Sequence, residues 1–152
     1  MRILLLLLAI SLSSPGFAAE SSRSTSIQDY NALTAMTRDL NSTDSSTRYK
    51  AARRFFFGVK GLKEQNPQGL NQGDEQYVDL HDLVETLHAT ALCDHDSVRV
   101  YAIKGLRQVI ALKLFPDPAD ERLVLSIWLD ILRIANDPNE PKPVRQAASG
   151  SL

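Results

Sequence analysis

The ten residues from Asp94 to Ile103, Asp-His-Asp-Ser-Val-Arg-Val-Tyr-Ala-Ile, decide the fold of this chain. After a turn that carries aspartate, apolar residues follow at a spacing of three to four, which places them on one face of an α-helix. Arg99 lies beside this face, and the small residue Ala102 follows three positions later. Because alanine lets two helix backbones approach closely, this segment predicts a helix that crosses its neighbour at short distance.

The same pattern of arginine and alanine occurs three times. Arg48, Arg99 and Arg145 are each followed by alanine three positions later, and they lie 51 and then 46 positions apart. The first spacing is a little above, and the second within, the period of roughly 40 to 47 residues that HEAT and armadillo repeats have. The chain therefore resembles the HEAT-repeat family, in which a turn with aspartate precedes Val-Arg, small residues and a leucine. The resemblance covers most of Asp44 to Leu152, although Thr47 replaces the usual valine in the first unit.

The resemblance implies a short right-handed α-solenoid of HEAT-like helical hairpins. Apolar spacing and the leader separately predict five to six helices after a signal peptide. It also implies that Arg48, Asp94, Arg99 and Arg145 help to stack one repeat on the next. We expect Arg99 to pair with an aspartate such as Asp44 or Asp94. The alternative is a helical bundle without repeats, in which the arginine and alanine matches arise by chance.

Apolar spacing predicts an all-α chain, since no stretch shows the alternation of a β-strand. The fifth of these helices is apolar around most of its circumference, so we expect other parts of the protein to cover it on several sides. The expected helices extend from about Ile27 to Leu40, from after Asp44 to about Leu62, from a cap at Asp74 to about Ala91, from a cap in the turn Asp94-His95-Asp96 to about Ile110, from about Ala119 to Ala135, and onward from Val144.

The first residues have the pattern of an export signal. A basic residue, Arg2, precedes an apolar run that is far shorter than the roughly 20 residues of a membrane span. Cleavage after Ala18 would place Gly16 and Ala18 at the two positions where signal peptidase needs small residues. We therefore expect a signal peptide at 1–18, a flexible lead-in at 19–26 and a single helical-repeat domain at 27–152. The mature chain would be exported, either to a bacterial periplasm or to the extracellular space, without a transmembrane segment.

Composition narrows the class of partner. Without residues 1–18 the chain has 16 lysines and arginines against 18 aspartates and glutamates. A protein that binds nucleic acid needs a surplus of cations, so nucleic acid is not an expected partner. Cys93 is the single cysteine, and packed helices must stabilise the domain without an internal disulfide. We expect Cys93 to be a small buried residue or an unreactive thiol.

The outer side of the second helix is the predicted partner-binding surface. Its residues place one aromatic ring among four cations: Lys50, Arg53, Arg54, Phe57 and Lys60. This composition suits an acidic peptide or an anionic lipid surface. The alternative is an ordinary solvated helix face with one exposed phenylalanine.

A second candidate site contains imidazoles. His81, Glu85 and His88 lie on one flank of the third helix, and His95 follows in the next turn. Imidazole and carboxylate groups could bind zinc, but the spacing lacks a compact ligand motif, and histidines on a helix flank are often only solvated. No metal or other cofactor is therefore expected.

The sequence contains no catalytic motif, which favours a protein that is not an enzyme. We expect a scaffold or adaptor that binds a protein or peptide on a helical-repeat surface, with the third and fifth helices lining its concave side. The alternative function is a periplasmic protein that binds a metal or small ligand through the histidine cluster. The last repeat has few apolar residues, so it could also stack on another subunit or belong to a longer repeat protein.

Overall fold

The computed structural model describes residues 30–150, so the predicted signal peptide and lead-in lie outside the described residues. Within residues 30–150 the chain forms six α-helices and one short 3-10 turn without any β-strand, which confirms the all-α prediction. None of these helices is both long enough and apolar enough to cross a membrane. The elements are α1 (Tyr30–Leu40), α2 (Ser45–Gln65), α3 (Tyr77–Cys93), α4 (Asp96–Ala111), the 3-10 turn (Pro118–Asp120), α5 (Glu121–Asn136) and α6 (Lys142–Ser149).

Helix α2 begins where the sequence supplies a strong cap. The Asp44 carboxylate accepts hydrogen bonds from the backbone N–H groups of Ser46 at 3.3 Å and Thr47 at 2.9 Å. These two donors have no partner inside the helix, so the cap satisfies them. The helix continues to Gln65, beyond the end expected near Leu62.

Two predicted caps are wrong. Asp74 accepts a hydrogen bond from the N–H of Asn71 at 2.6 Å, inside the loop, and α3 begins later, at Tyr77. Asp94 does not cap α4, because its carboxylate faces Arg48 in a different helix pair. His95 stands at the N-cap position of α4 and its side chain makes no capping bond. In both cases a different partner outcompetes the helix start for the carboxylate.

The helices pack as three consecutive pairs that lie side by side. Helix α1 packs on α2, α3 on α4, and α5 on α6. Helix α4 lies between α2 and α6 and contacts both, while α1 contacts α3. We call α2, α4 and α6 the even row, and α1, α3 and α5 the odd row. Between α3 and α5, a bond joins His88 Nε2 to Asp130 Oδ2 at 2.9 Å.

One apolar core lies between the two rows. Phe55 of α2 is fully buried, and Gly105 of α4 lies so close to it that a Cβ at this glycine would be 2.8 Å from the phenylalanine Cδ1. Alanines at Ala52 and Ala102 are also fully buried. The small residues therefore allow α2 and α4 to approach closely, as expected from the arginine and alanine pattern.

Helix α5 buries only one of its faces in the part of the chain that is described. Ile127, Ile131 and Ile134 are buried, whereas Leu125 is 52% exposed and Leu129 is 56% exposed. Within residues 30–150, the expectation that this helix is covered on several sides is wrong. Its outward side is an apolar surface.

The long connection between α2 and α3 is fixed to the connection between α4 and α5. The backbone N–H of Leu70 donates to the carbonyl of Leu114 at 2.8 Å, and both leucines are buried. Next to this bond, Gly69 has a φ of +89°, and a Cβ there would lie 2.8 Å from the carbonyl oxygen of Lys113. Glycine is needed at this position because of both the left-handed backbone and the close contact.

Candidate functional site

The even row presents a cationic surface with one exposed aromatic ring. The structure places all five predicted partner-binding residues on the outer side of α2: Lys50, Arg53, Arg54 and Lys60 are exposed, and Phe57 is 56% exposed. Tyr101 and Lys104 of α4 lie beside them. We call these seven residues the α2–α4 face.

Phe57 belongs to an aromatic cluster that bridges two helices. Its ring centroid lies 4.9 Å from that of Phe56 and 6.3 Å from that of Tyr101 in α4. The Arg53 guanidinium carbon lies 5.2 Å from the centre of the Phe57 ring, and Lys104 Nζ lies 5.7 Å from the centre of the Tyr101 ring. These distances are within the range of cation–π attraction. Tyr101 and Lys104 were not predicted as part of this surface, because they lie on a different helix from the other five residues.

Charge is distributed unequally between the two rows. The helices of the even row contain eleven basic and two acidic residues, whereas those of the odd row contain three basic and six acidic residues. The basic residues of the even row are Arg48, Lys50, Arg53, Arg54, Lys60, Lys63, Arg99, Lys104, Arg107, Lys142 and Arg145, and its acids are Glu64 and Asp96. The odd row contains Arg38, Arg122 and Arg133 with Asp39, Asp79, Asp82, Glu85, Glu121 and Asp130. A chain with nearly balanced charge thus has one strongly cationic row.

Arg48 joins the first helix pair to the turn of the second. Its Nε and Nη2 donate to the two carboxylate oxygens of Asp94 at 2.5 and 2.8 Å. Its Nη1 donates to the carbonyls of Ser42 and Thr43 at 2.8 and 3.0 Å, where α1 has just ended. The bonds from Arg48 hold the pKa of the Asp94 carboxyl below its ordinary value, and they raise the pKa of the guanidinium. Bidentate pairs of this kind fix geometry as well as charge.

Arg99 makes the equivalent connection from the second pair to the third. Its Nη2 donates to Glu140 at 2.7 Å, and its Nε donates to the carbonyl of Ala91 at 2.9 Å. The bond from Arg99 lowers the pKa of Glu140. The expected pairing of Arg99 with Asp44 or Asp94 is wrong, because each arginine reaches forward to the acid in the next turn and not back to the turn before it.

Arg145 is the third arginine of this series. Its Nε is buried and has no hydrogen-bond partner among residues 30–150. Its neighbours Val144 and Ala148 are buried, as are Val98 and Ala102 beside Arg99. Arg145 therefore occupies the same position in α6 as Arg99 does in α4, without a forward acid in the described part of the chain.

The predicted histidine cluster is only partly brought together. His81 and Glu85 are adjacent, with Nδ1 and Oε2 4.0 Å apart, and Asp82 joins them in a group whose ligand atoms lie within 4.8 Å of one another. His88 faces Asp130 of α5, and His95 lies at the start of α4. Among the residues that the structure describes, no larger group of metal-ligating side chains occurs.

A polar groove of about 720 Å³ lies between α1 and α3. Glu85, Cys93 and His95 contribute to its walls together with the Arg48–Asp94 pair. Cys93 is exposed and its thiol donates to the carbonyl of Ala89 at 3.1 Å, so the expectation of a buried cysteine is wrong. Cys93 lies at the end of α3, which is open to solvent. The apolar character of cysteine did not indicate this exposure.

A buried polar pair holds α3 against the 3-10 turn. Tyr77 Oη donates to Asp120 Oδ1 at 2.5 Å. Burial of the phenol, together with this bond, raises the pKa of Tyr77 to about 12. The pair is a structural contact, because Tyr77 and Asp120 are both buried.

No family model, no curated protein and no solved structure matches this chain.

Proposed function

We propose that this protein is an exported, non-enzymatic interaction module whose α2–α4 face binds an acidic segment of another protein. The proposed architecture is a short α-solenoid of HEAT-like hairpins. The leader pattern at 1–18 supports export, to a periplasm or to the extracellular space. The observation that carries the binding proposal is the exposed Phe57 ring, which lies among cations on a row with eleven basic and two acidic helix residues.

Charge complementarity favours an acidic partner. Cations of one sign on a surface steer an acidic partner toward it and repel a basic one, and this effect decreases as salt is added. The Phe57 ring adds an apolar anchor, and the rings of Phe56 and Tyr101 lie beside it. An aromatic anchor surrounded by cations is typical of surfaces where a few residues supply most of the binding energy.

A small pocket beside the aromatic cluster suits one carboxylate side chain. It has a volume of about 90 Å³, and Phe56, Lys104, Arg107 and Gln108 line it. Arg107 and Lys104 could pair with an acid, while the apolar part of that residue would contact Phe56.

The repeat architecture is supported by the two arginine connections. Arg48 to Asp94 and Arg99 to Glu140 link successive helix pairs with the same chemistry. In a bundle where the arginine and alanine matches arose by chance, the two arginines would not both bind an acid in the next turn and a carbonyl at the end of the preceding helix. This regularity favours the repeat interpretation over the bundle without repeats.

Binding of a defined peptide tests the α2–α4 face. We expect a fluorescein-labelled peptide in which glutamate alternates with leucine and phenylalanine to bind the protein, as measured by fluorescence anisotropy. Arg53→Ala with Phe57→Ala should weaken binding by about tenfold or more, because an anchor residue is worth more than 1 kcal/mol. Binding should also weaken as salt increases.

The control variant makes the same two kinds of change on the odd row. Arg38→Ala with Val78→Ala removes one exposed cation and one exposed apolar side chain, and it should bind the peptide as the parent does. Equal loss in both double variants would overturn the proposal. Binding to vesicles of anionic phospholipid without binding to the peptide would instead favour a lipid surface.

A second candidate function, a metal or small-ligand protein, is supported by the group of His81, Asp82 and Glu85. Glu85 also lines the polar groove between α1 and α3, so one residue belongs to both features. Isothermal titration with zinc chloride tests this function. Stoichiometric binding that His81→Ala abolishes and His88→Ala leaves unchanged would establish a site at this group, and the absence of binding would exclude zinc there.

A further inference from the structure

The two arginine connections show what each helix pair requires from the pair that follows it. Arg48 donates to two carbonyls at the end of the preceding helix and Arg99 donates to one, and each arginine also binds an acid in the next turn. A following pair therefore contributes one carboxylate and covers the outer side of the pair before it. Arg145 has the matching position in α6, and its buried Nε has no partner within residues 30–150. A buried polar group without a partner is unfavourable.

The outer side of α5 is an apolar stripe that lacks cover in the described structure. Its four residues are substantially exposed: Leu125 (52%), Trp128 (42%), Leu129 (56%) and Leu132 (40%). At 100° per residue they lie on the opposite side of the helix from Asp130, which contacts α3. The stripe is thus where a further helix of the odd row would pack.

The even row leaves a matching space. Helix α6 has 8 residues whereas α4 has 16, so α6 covers only part of the groove along α4 and α5. An open groove of about 350 Å³ lies here, and its walls include Ile110 of α4 with Val124, Leu125 and Trp128 of α5. Within residues 30–150, one end of the molecule therefore combines a guanidinium atom without a partner, an exposed apolar helix side and an incompletely filled apolar groove.

We propose that the α5–α6 end of this molecule is a docking site for a helical hairpin of a partner protein, which places a carboxylate against Arg145 and an apolar helix face over the α5 stripe. This inference rests on the repeat architecture of the proposed function and is independent of the α2–α4 face. The chemistry of the occupant follows from the two acids, Asp94 and Glu140, that already fill this role inside the molecule.

Area and charge favour a partner hairpin over the other occupants. The four exposed side chains offer roughly 400 Å² of apolar surface, about half of what one partner contributes to a standard interface, so a single helix on the stripe would be too small. Pairing of α5 with α5 of a second copy would place Arg122 and Arg133 beside each other along one edge. Stacking of α1 from a second copy would set its exposed Asn31, Thr34 and Arg38 against leucines.

An extended chain tests the docking site with a defined hairpin. A second copy of residues 105–150, inserted after Gly150, keeps the repeat register because Gly150 follows Lys104 by the same 46 positions that separate Val144 from Val98. Gly150 ends α6 with a φ of +85°, and as a glycine it can also adopt the helical conformation that a longer α6 requires. The copied Glu140 then lies where it can accept a hydrogen bond from Arg145. The copied Trp128 is replaced by Phe, so that the remaining tryptophan reports only on the original α5 stripe.

We expect the extended chain to bury Trp128. The quenching constant for acrylamide should fall about threefold or more, since a ring that is 42% exposed becomes covered, and the melting temperature should rise by several degrees. Arg145→Gln in the extended chain should remove about half of that rise. Lys142→Gln, which changes an exposed cation of the same helix, should leave the rise intact.

Three outcomes would overturn the proposal. The first is unchanged quenching of Trp128 in the extended chain. This holds even if circular dichroism shows that the added segment is unfolded, because the tether presents the segment at about millimolar effective concentration and a real docking site would fold it. The second is dimerisation of the unmodified chain that Leu129→Glu abolishes, which makes a second copy the occupant. The third is greater quenching after deletion of residues 19–29, which makes the chain's own N-terminal segment the occupant. Peptide binding measured on the same proteins separates this result from that of the α2–α4 face.

Discussion

On the outer side of the even row, lysines and arginines surround aromatic rings along α2 and α4, whereas the outer side of the odd row carries carboxylates on α3 and leucines on α5. Both rows bury the same kind of apolar residue towards the core that they share. Phe55 and Phe57 illustrate the difference within one helix, since the first is fully buried and the second is 56% exposed. The inner sides of the two rows are alike because both pack into the same core. The outer sides differ, and each could bind a partner of different chemistry.

The contrast between Phe55 and Phe57 gives the largest expected effect. Phe55→Ala should lower the free energy of unfolding by about 3–5 kcal/mol, because it leaves a cavity between α2 and α4. Phe57→Ala should change it by less than about 0.5 kcal/mol. Urea denaturation of the two variants measures both values. A large loss of stability from Phe57→Ala would show that the exposed ring belongs to the core and would weaken its assignment to a binding surface.

Acid should weaken the connections between successive helix pairs. Asp94 and Glu140 have lowered pKa values in the folded protein because of bonds from Arg48 and Arg99. Each carboxylate therefore stabilises the fold at pH values above its ordinary pKa, and the stabilisation is lost as the pH falls through the lower folded pKa. Glu140→Gln should reduce stability at pH 7 by about 1 kcal/mol after allowance for solvent screening, and should reduce it less at pH 3.

Urea denaturation at pH 7 and pH 3 checks this dependence. Asp137→Asn, which changes another acid of the same turn, is the control and should lose much less at pH 7. An effect of Glu140→Gln that is equal at both pH values would contradict an ionic connection. The Arg145→Gln variant should show no such pH dependence, because its Nε lacks a partner in the described residues.

Charge reversal on the two rows gives the smallest expected effect. Lys60→Glu on the α2–α4 face should weaken binding of the acidic peptide by about two- to fivefold, since exposed charge pairs are worth about 0–1 kcal/mol. Arg38→Glu on the odd row should leave peptide binding within error. Fluorescence anisotropy at low and moderate salt measures both. Equal weakening by the two variants would mean that net charge, and not the α2–α4 face, controls binding.

The helices could be predicted from the sequence because their apolar residues recur at a helical period and their ends carry recognisable turns. The class of fold is confirmed, and the cap at Asp44 shows why the start of α2 is well marked. Asp74 and Asp94 misled the prediction, because a carboxylate beside a helix start was assumed to cap it. In the folded protein Asn71 and Arg48 bind these carboxylates, and such partners depend on how distant segments meet.

The candidate site was predictable on α2 alone. Lys50, Arg53 and Phe57 lie at positions that one helix brings to one side, so a single sequence segment was sufficient. Tyr101 and Lys104 join them only because α4 packs beside α2, with Gly105 against Phe55. The exposure of the α5 stripe was not predictable either, because the apolar composition of a helix does not say which of its neighbours are present.

The anchored connection between α2 and α3 should make the protein resistant to proteolysis. Long exposed loops are the usual sites of cleavage, since a protease must bind several residues of extended backbone. Here the bond from Leu70 to Leu114 and the close contacts of Gly69 hold the middle of the loop in place. Cleavage would first require a local opening that breaks this bond and exposes two buried leucines. The fold thereby protects its longest connection without a disulfide.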